Sequence, residues 1–187
     1  MSRNIKEYIW SEYPTPREMS VWSGDGVSTF PLADFDQLLA TCIAEINSDI
    51  YVRDYVRGMS MKTYLPADTI SVVSARMDYP FQGNRWVKFQ FNPYDHSVVT
   101  RFPNVVYTIR RKLSIKNVDK LEGDRLIYLA SYVRWKMADK EATMLGAVEL
   151  DADNGKFSLD DLKAFAKENQ QRYLDMKQDI LLYTVGL

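Results

Sequence analysis

The sequence predicts an α+β domain: three main helices with an inserted antiparallel sheet of about four strands, flanked by an extended N-terminal arm and a C-terminal tail. Three observations carry this. Apolar residues recur every three or four positions over 35–50 and again in the last third, as on one face of a helix. In the middle third they alternate singly, as in half-buried strands. Gly, Asn and Pro fall between the alternating runs, where hairpin turns need them. A chain of 187 residues holds one full core plus arms, divided here into an arm over 1–31, one domain over 32–180 with the insert at about 61–114, and an apolar tail over 181–187.

The arm carries Trp10, Trp22, Tyr8, Tyr13, Pro14, Pro16 and the Gly24–Gly26 pair without a sustained period, and so reads as extended. Tyr8, Ile9, Trp10 and Tyr13 are too apolar for a solvated tail and predict docking on the chain's own domain or on a neighbour. From Asp34, the residues Phe35, Leu38, Leu39, Cys42, Ile43, Ile46 and Ile50 line one helical face. That stripe continues through Tyr51 and Tyr55 to Gly58, where glycine suits a C-terminal cap.

In the insert, Ile70 and Val72 alternate on one phase and Val73, Ala75, Met77 and Tyr79 on the other, the shift a β-bulge produces. Gly83-Asn84 turns the chain. Val87, Phe89 and Phe91 then alternate with Trp86, Lys88 and Gln90 as far as Asn92-Pro93, because proline has no N–H for the ladder. A short strand at Val98–Phe102 and a turn at Pro103-Asn104 lead to a last strand alternating Val105, Tyr107, Ile109, Arg111 and Leu113 with Val106, Thr108, Arg110 and Lys112.

Over Leu121–Leu145, Leu126, Leu129, Ala130, Val133 and Met137 form a core stripe and Tyr128, Tyr132 and Trp135 a second one, so this helix needs two partners. The linker 149–155 breaks it, and Ser158 with Asp161 resembles a capping box opening a final helix along Leu162, Phe165, Ala166, Asn169, Tyr173, Met176 and Ile180.

The residues usual in catalysis are scarce. His96, beside Asp95, sits in a turn with no Ser, Cys or metal-ligand neighbour at a telling spacing. Cys42 lies on the apolar stripe and reads as a small core residue. Asp151-Ala152-Asp153-Asn154-Gly155 resembles a calcium loop, but a glycine at loop position six makes Leu150 the first ligand, and leucine has no oxygen to offer. No phosphate-binding, dinucleotide or zinc motif is present, and no cofactor or metal is expected. Lys+Arg 24 against Asp+Glu 25 gives no bulk field for nucleic acid or anionic membranes, leaving Arg101 and Arg110-Arg111-Lys112 as the local basic concentration. With one cysteine, no signal pattern and no membrane-length apolar run, a reducing cytoplasm is the expected site of synthesis. Twelve Tyr and four Trp suit interfaces, since their rings bury while a polar edge still hydrogen bonds.

The order of elements resembles the head-to-tail connector proteins of tailed bacteriophages, the adaptor or neck subunits beneath the portal. The resemblance rests on Phe35–Ile46 as first helix, the strand Ile70–Tyr79 with the hairpin to Phe91, the run DRLIYLASY from Asp124 to Tyr132, and FSLDDLKAFAKENQQRY from Phe157 to Tyr173. It spans roughly residues 34–180, is one of pattern and order, and leaves the arm outside. It implies a non-catalytic virion protein made in the bacterial host cytoplasm and placed in the neck or tail. There, copies form a ring, usually of the portal's twelvefold symmetry, between the portal protein and the next neck or tail protein, with DNA in the channel and no membrane partner. On this reading Trp10, Trp22, Tyr128, Tyr132, Trp135, Leu181, Leu182, Tyr183, Val185 and Leu187 face neighbouring subunits, and Arg101, Arg110, Arg111 and Lys112 line the channel. The alternatives are a tail-completion or baseplate subunit, a monomeric protein-binding adaptor, or a small enzyme using paired carboxylates.

Overall fold

The computed structural model describes residues 4–15, 22, 34–78, 85–146 and 159–185. Among them are helices α1 (Ile5–Ser11), α2 (Phe35–Ile46), α3 (Asp124–Gly146) and α4 (Leu159–Val185), with a 3₁₀ turn at Val118–Lys120. The strands are β1 (Tyr51–Gly58), β2 (Lys62–Tyr64), β3 (Thr69–Met77), β4 (Phe89–Asn92), β5 (Ser97–Thr100) and β6 (Val105–Lys112). The fold is mixed α and β, and the chain divides into two compact units: Met1–Asp49 with Ser114–Leu187, holding the helices, and Ile50–Leu113, holding the strands. No helix among the described residues is long and apolar enough to cross a membrane.

In the helical unit α3 is the central element, packed against α4, α2 and α1. Every residue from Tyr128 to Arg134 is buried, so the helix is covered on all sides through this stretch. α2 starts where Asp34 accepts hydrogen bonds from the Asp36 and Gln37 N–H groups, and of the predicted stripe it buries Phe35, Leu39, Cys42, Ile43 and Ile46, with Leu38 half-buried and Ile50 beyond its end. It stops at Ile46 rather than running to Gly58. Residues 51–58 instead form β1, because Val52, Asp54 and Val56 alternate inward and each residue of the strand pairs with one of β6.

The N-terminal segment also departs from expectation. Ile5–Ser11 is helical rather than extended, capped by the Asn4 side chain accepting from Lys6 N–H, with Ile5 and Ile9 buried one turn apart. Two turns are too short for a period to stand out in the sequence. The segment docks on its own unit: Tyr13, Thr15 and Trp22 are buried there.

The strand unit holds two three-stranded antiparallel sheets, ordered β1-β6-β3 and β2-β5-β4, in place of the single sheet of about four strands. β1 was hidden behind the helical stripe, and β2 has three residues, too few for a visible alternation. The expected bulge is present in β3, whose register against β6 slips between Thr69 and Ser71 and again between Val72 and Ser74, turning Ile70 and Val73 outward. The sheets share a core of Leu65, Ala75, Val87, Val98, Val105, Tyr107 and Ile109, flanked by Val56, Val72, Met77, Phe89 and Phe91. Backbone hydrogen bonds from Met77 to Arg85 and from Val87 to Ala75 carry the pairing from β3 toward β4. At Gly58 a Cβ would lie 2.7 Å from the buried Tyr107 ring and collide with Thr63, so only glycine allows this approach.

Candidate functional site

Most of the aromatic residues expected to await a neighbouring subunit are covered by this chain itself. Tyr128 donates to Asp49 Oδ2 at 2.8 Å and Tyr132 to Glu45 Oε2 at 2.5 Å. The Tyr173 ring of α4 lies 4.9 Å from Tyr128, 4.6 Å from Tyr132 and 6.0 Å from Trp135. Burial first, then hydrogen bonding to these carboxylates and, for Tyr128, to Tyr173, pushes both phenols well above their ordinary range and keeps them protonated donors. Trp22 is buried with its Nε1–H on the Met137 carbonyl at 3.1 Å. These three therefore present no ring to a partner: the second stripe of α3 is filled by α4 and by the end of α2. Trp10, packed on Tyr13 and Phe35, and Trp135 are half-buried. The tail is no separate segment up to Val185, because α4 continues through it; Leu187 and the side chains of Leu181, Leu182, Tyr183 and Val185 lie outside the described residues.

Two further polar groups buried in this unit are structural. Arg134, fully buried, donates to the carbonyls of Tyr8 and Ile9 and to Glu12, clasping the last turn of α1 where free carbonyls remain. Tyr13 donates to the buried Glu141 at 2.8 Å. Cys42 is buried, and burial followed by the nearby Glu45 pushes its thiol up to about 12, a poor nucleophile. Asp95 accepts from Ser97 N–H and pairs with Lys62 rather than orienting His96, which takes the left-handed conformation (φ 51°) that closes the β4–β5 turn. The calcium-like run 151–155 and Ser158 lie outside the described residues, and among those described no group of three His, Cys, Asp or Glu is placed to hold a metal.

The strand unit has an exposed surface of a different kind. Arg111 faces inward with Val105, Tyr107 and Ile109, and its guanidinium is held by Asp54 at 2.8 Å and Asp68 at 2.9 Å. Its charge is balanced by both carboxylates, so it adds no net positive charge to the face it occupies. The pair Asp54 and Asp68 is likewise committed to Arg111 and is not an acid–base dyad. Alternation sends Arg110 and Lys112 to the opposite face, where cross-strand register places Arg53 beside Arg110 and sets Arg57 and Arg76 on either side of Val106. Arg101 lies exposed in the bend after β5. The sequence reading missed Arg53, Arg57 and Arg76; their signal was the alternation Arg53-Asp54-Tyr55-Val56-Arg57, masked by the helical stripe.

On the second sheet, Lys62, Tyr64 and Val99 point outward, and Met61 and Phe102 lie close by in the chain at the strand ends; Tyr64 is 66% and Phe102 46% exposed. An open depression of ≈ 550 Å³ borders this patch, lined by Lys62, Gln90, Phe91, Asn92, Asp95, Ser97 and Val99. It is too open to exclude water from a reaction, but it suits a side chain from another protein. No protein-family model matches the chain, and no curated protein does.

Proposed function

We propose that this chain is a structural subunit of a tailed-phage neck, joining portal and tail as one member of a ring around the DNA channel. The observation that carries the reading is the large apolar side chains left in solvent on and around the β2–β5 pair: Tyr64 and Val99 on the strands and Met61 and Phe102 just beyond their ends, with Val99 also lining the open depression. Exposed apolar surface of this kind marks a protein–protein contact. A ring needs two unlike adhesive faces on each subunit, and the exposed apolar surface around β2 and β5 supplies one of them. The resemblance of element order to connector proteins supplies the assembly. The test is electron microscopy of the protein co-expressed with the portal protein of its own genome. Rings that carry both proteins are expected, and the double variant Tyr64→Ser/Phe102→Ser should leave a folded chain that no longer joins them. A wild-type chain that stays monomeric beside assembled portals overturns the proposal.

A further inference from the structure

We infer that the outward face of the β1–β6–β3 sheet binds single-stranded nucleic acid through its phosphates and bases. The inference goes beyond the neck reading and does not depend on it, since it concerns the isolated chain. The face is built in rows. Tyr51 and Lys112 form one; Arg53, Arg110 and Ser71 the next; then Tyr55, Thr108 and Ser74; and finally Arg57, Val106 and Arg76, extended by Trp86 through its bridge to Arg76. Residues paired across an antiparallel sheet share a face, so these rows form one surface.

Its charge is one-sided. Five cations stand on this face, whereas the only carboxylate of the three strands, Asp54, points to the other side and is tied to Arg111. Asp78, just after β3, pairs with Arg57 at the margin. Arg110 Cζ lies over the Tyr51 ring, 4.5 Å from its centroid, a cation–π contact that orders the guanidinium before any ligand arrives. Between the cations two rings stand in solvent, Tyr55 at 60% and Trp86 at 72% exposure.

Cations alone suit any polyanion. Exposed rings set among them suit unpaired bases, which stack on aromatics, and not a duplex, whose bases are already stacked. An anionic membrane is a weaker fit, because the exposed aliphatic side chains of this sheet, Ile70 and Val73 at the two bulges, are set singly between Thr69, Ser71 and Ser74 and do not form the continuous apolar face of a membrane-surface helix.

The test is fluorescence anisotropy of the full chain with a labelled oligothymidylate of about 20 nucleotides, repeated on a duplex of equal length and on phosphatidylserine vesicles. Expected is binding to the single strand at about 50 mM salt that weakens steeply by about 200 mM, and at least tenfold weaker binding to the duplex. Arg53→Ala with Arg76→Ala should lower the slope of log K against log salt by about 0.7 for each phosphate no longer neutralised. Trp86→Ala should weaken binding about tenfold with the slope unchanged, while Trp86→Phe retains most of it. Lys163→Ala, exposed on α4, should change nothing. No binding at low salt overturns the inference, as does duplex or vesicle binding as tight as the single strand, or wild-type affinity in Trp86→Ala. Since none of these outcomes involves a ring, they leave the neck proposal to its own test.

Discussion

The two units differ in how many of their Tyr and Trp rings they cover, Tyr107 being the buried one of the strand unit. In the helical unit Tyr13, Trp22, Tyr128, Tyr132 and Tyr173 are buried, and the hydroxyls of Tyr13, Tyr128 and Tyr132 each reach a carboxylate. In the strand unit Tyr55, Tyr64, Trp86 and Tyr94 stand in solvent, Tyr94 at 95% exposure. The difference follows from architecture. A central helix such as α3 is surrounded by other helices, so a second apolar stripe finds cover within the chain. A sheet has two faces, and a three-stranded one with a core on one side leaves the other to solvent or to a partner. Aromatic content therefore marks an interface only once it is known which rings the chain itself has covered.

The sharpest way to break this contrast is to unfasten the helical unit. Arg134→Ala strips the α1 carbonyls and Glu12 of their buried partner and should lower unfolding free energy by about 3 kcal/mol in urea titration. Proteolysis near Ser11 should quicken. In the strand unit, Gly58→Ala forces a methyl against Tyr107 and Thr63, and a loss of about 2 kcal/mol is expected.

Next is an alkaline effect. The Cys42 thiol titrates near 9.0 when unfolded and about 12 when folded, so the folded state holds the proton more tightly. Its contribution is intact below pH 9, falls as pH rises and is gone above 12, which amounts to about 1.4 kcal/mol lost at pH 10. Urea midpoints at pH 7 and 10 should converge partly in Cys42→Ala. Tyr128→Phe, which removes the hydrogen bond to Asp49, should cost about 1 kcal/mol by the same measurement. Smallest is Tyr64→Ser/Phe102→Ser, expected within about 0.5 kcal/mol of wild type while self-association in sedimentation is reduced. A large stability loss there would mean these side chains hold the fold together.

Much of this was legible in the residue order. The stripe Phe35–Ile46 gave α2, the alternation Val87-Phe89-Phe91 gave the inward face of one sheet, and the phase slip around Val72 marked the bulge in β3. These are local patterns, set by the geometry of one helix or strand. β1 was not legible, because Tyr51 and Tyr55 continue a helical spacing that only pairing with β6 overrides. Nor was the fate of the basic run: alternation separates Arg110 from Arg111, but which of them is neutralised depends on Asp54 and Asp68, 57 and 43 residues away in sequence.

The sequence by itself determined most of the helices and strands, α1, β1 and β2 excepted, and which residues of each share a face. Only the tertiary structure decided which faces the chain covers for itself, enclosing Tyr128 and Tyr132 of α3 and leaving Tyr55, Tyr64 and Trp86 of the strand unit exposed. Periodicity is a property of a single element, whereas burial depends on what packs against it.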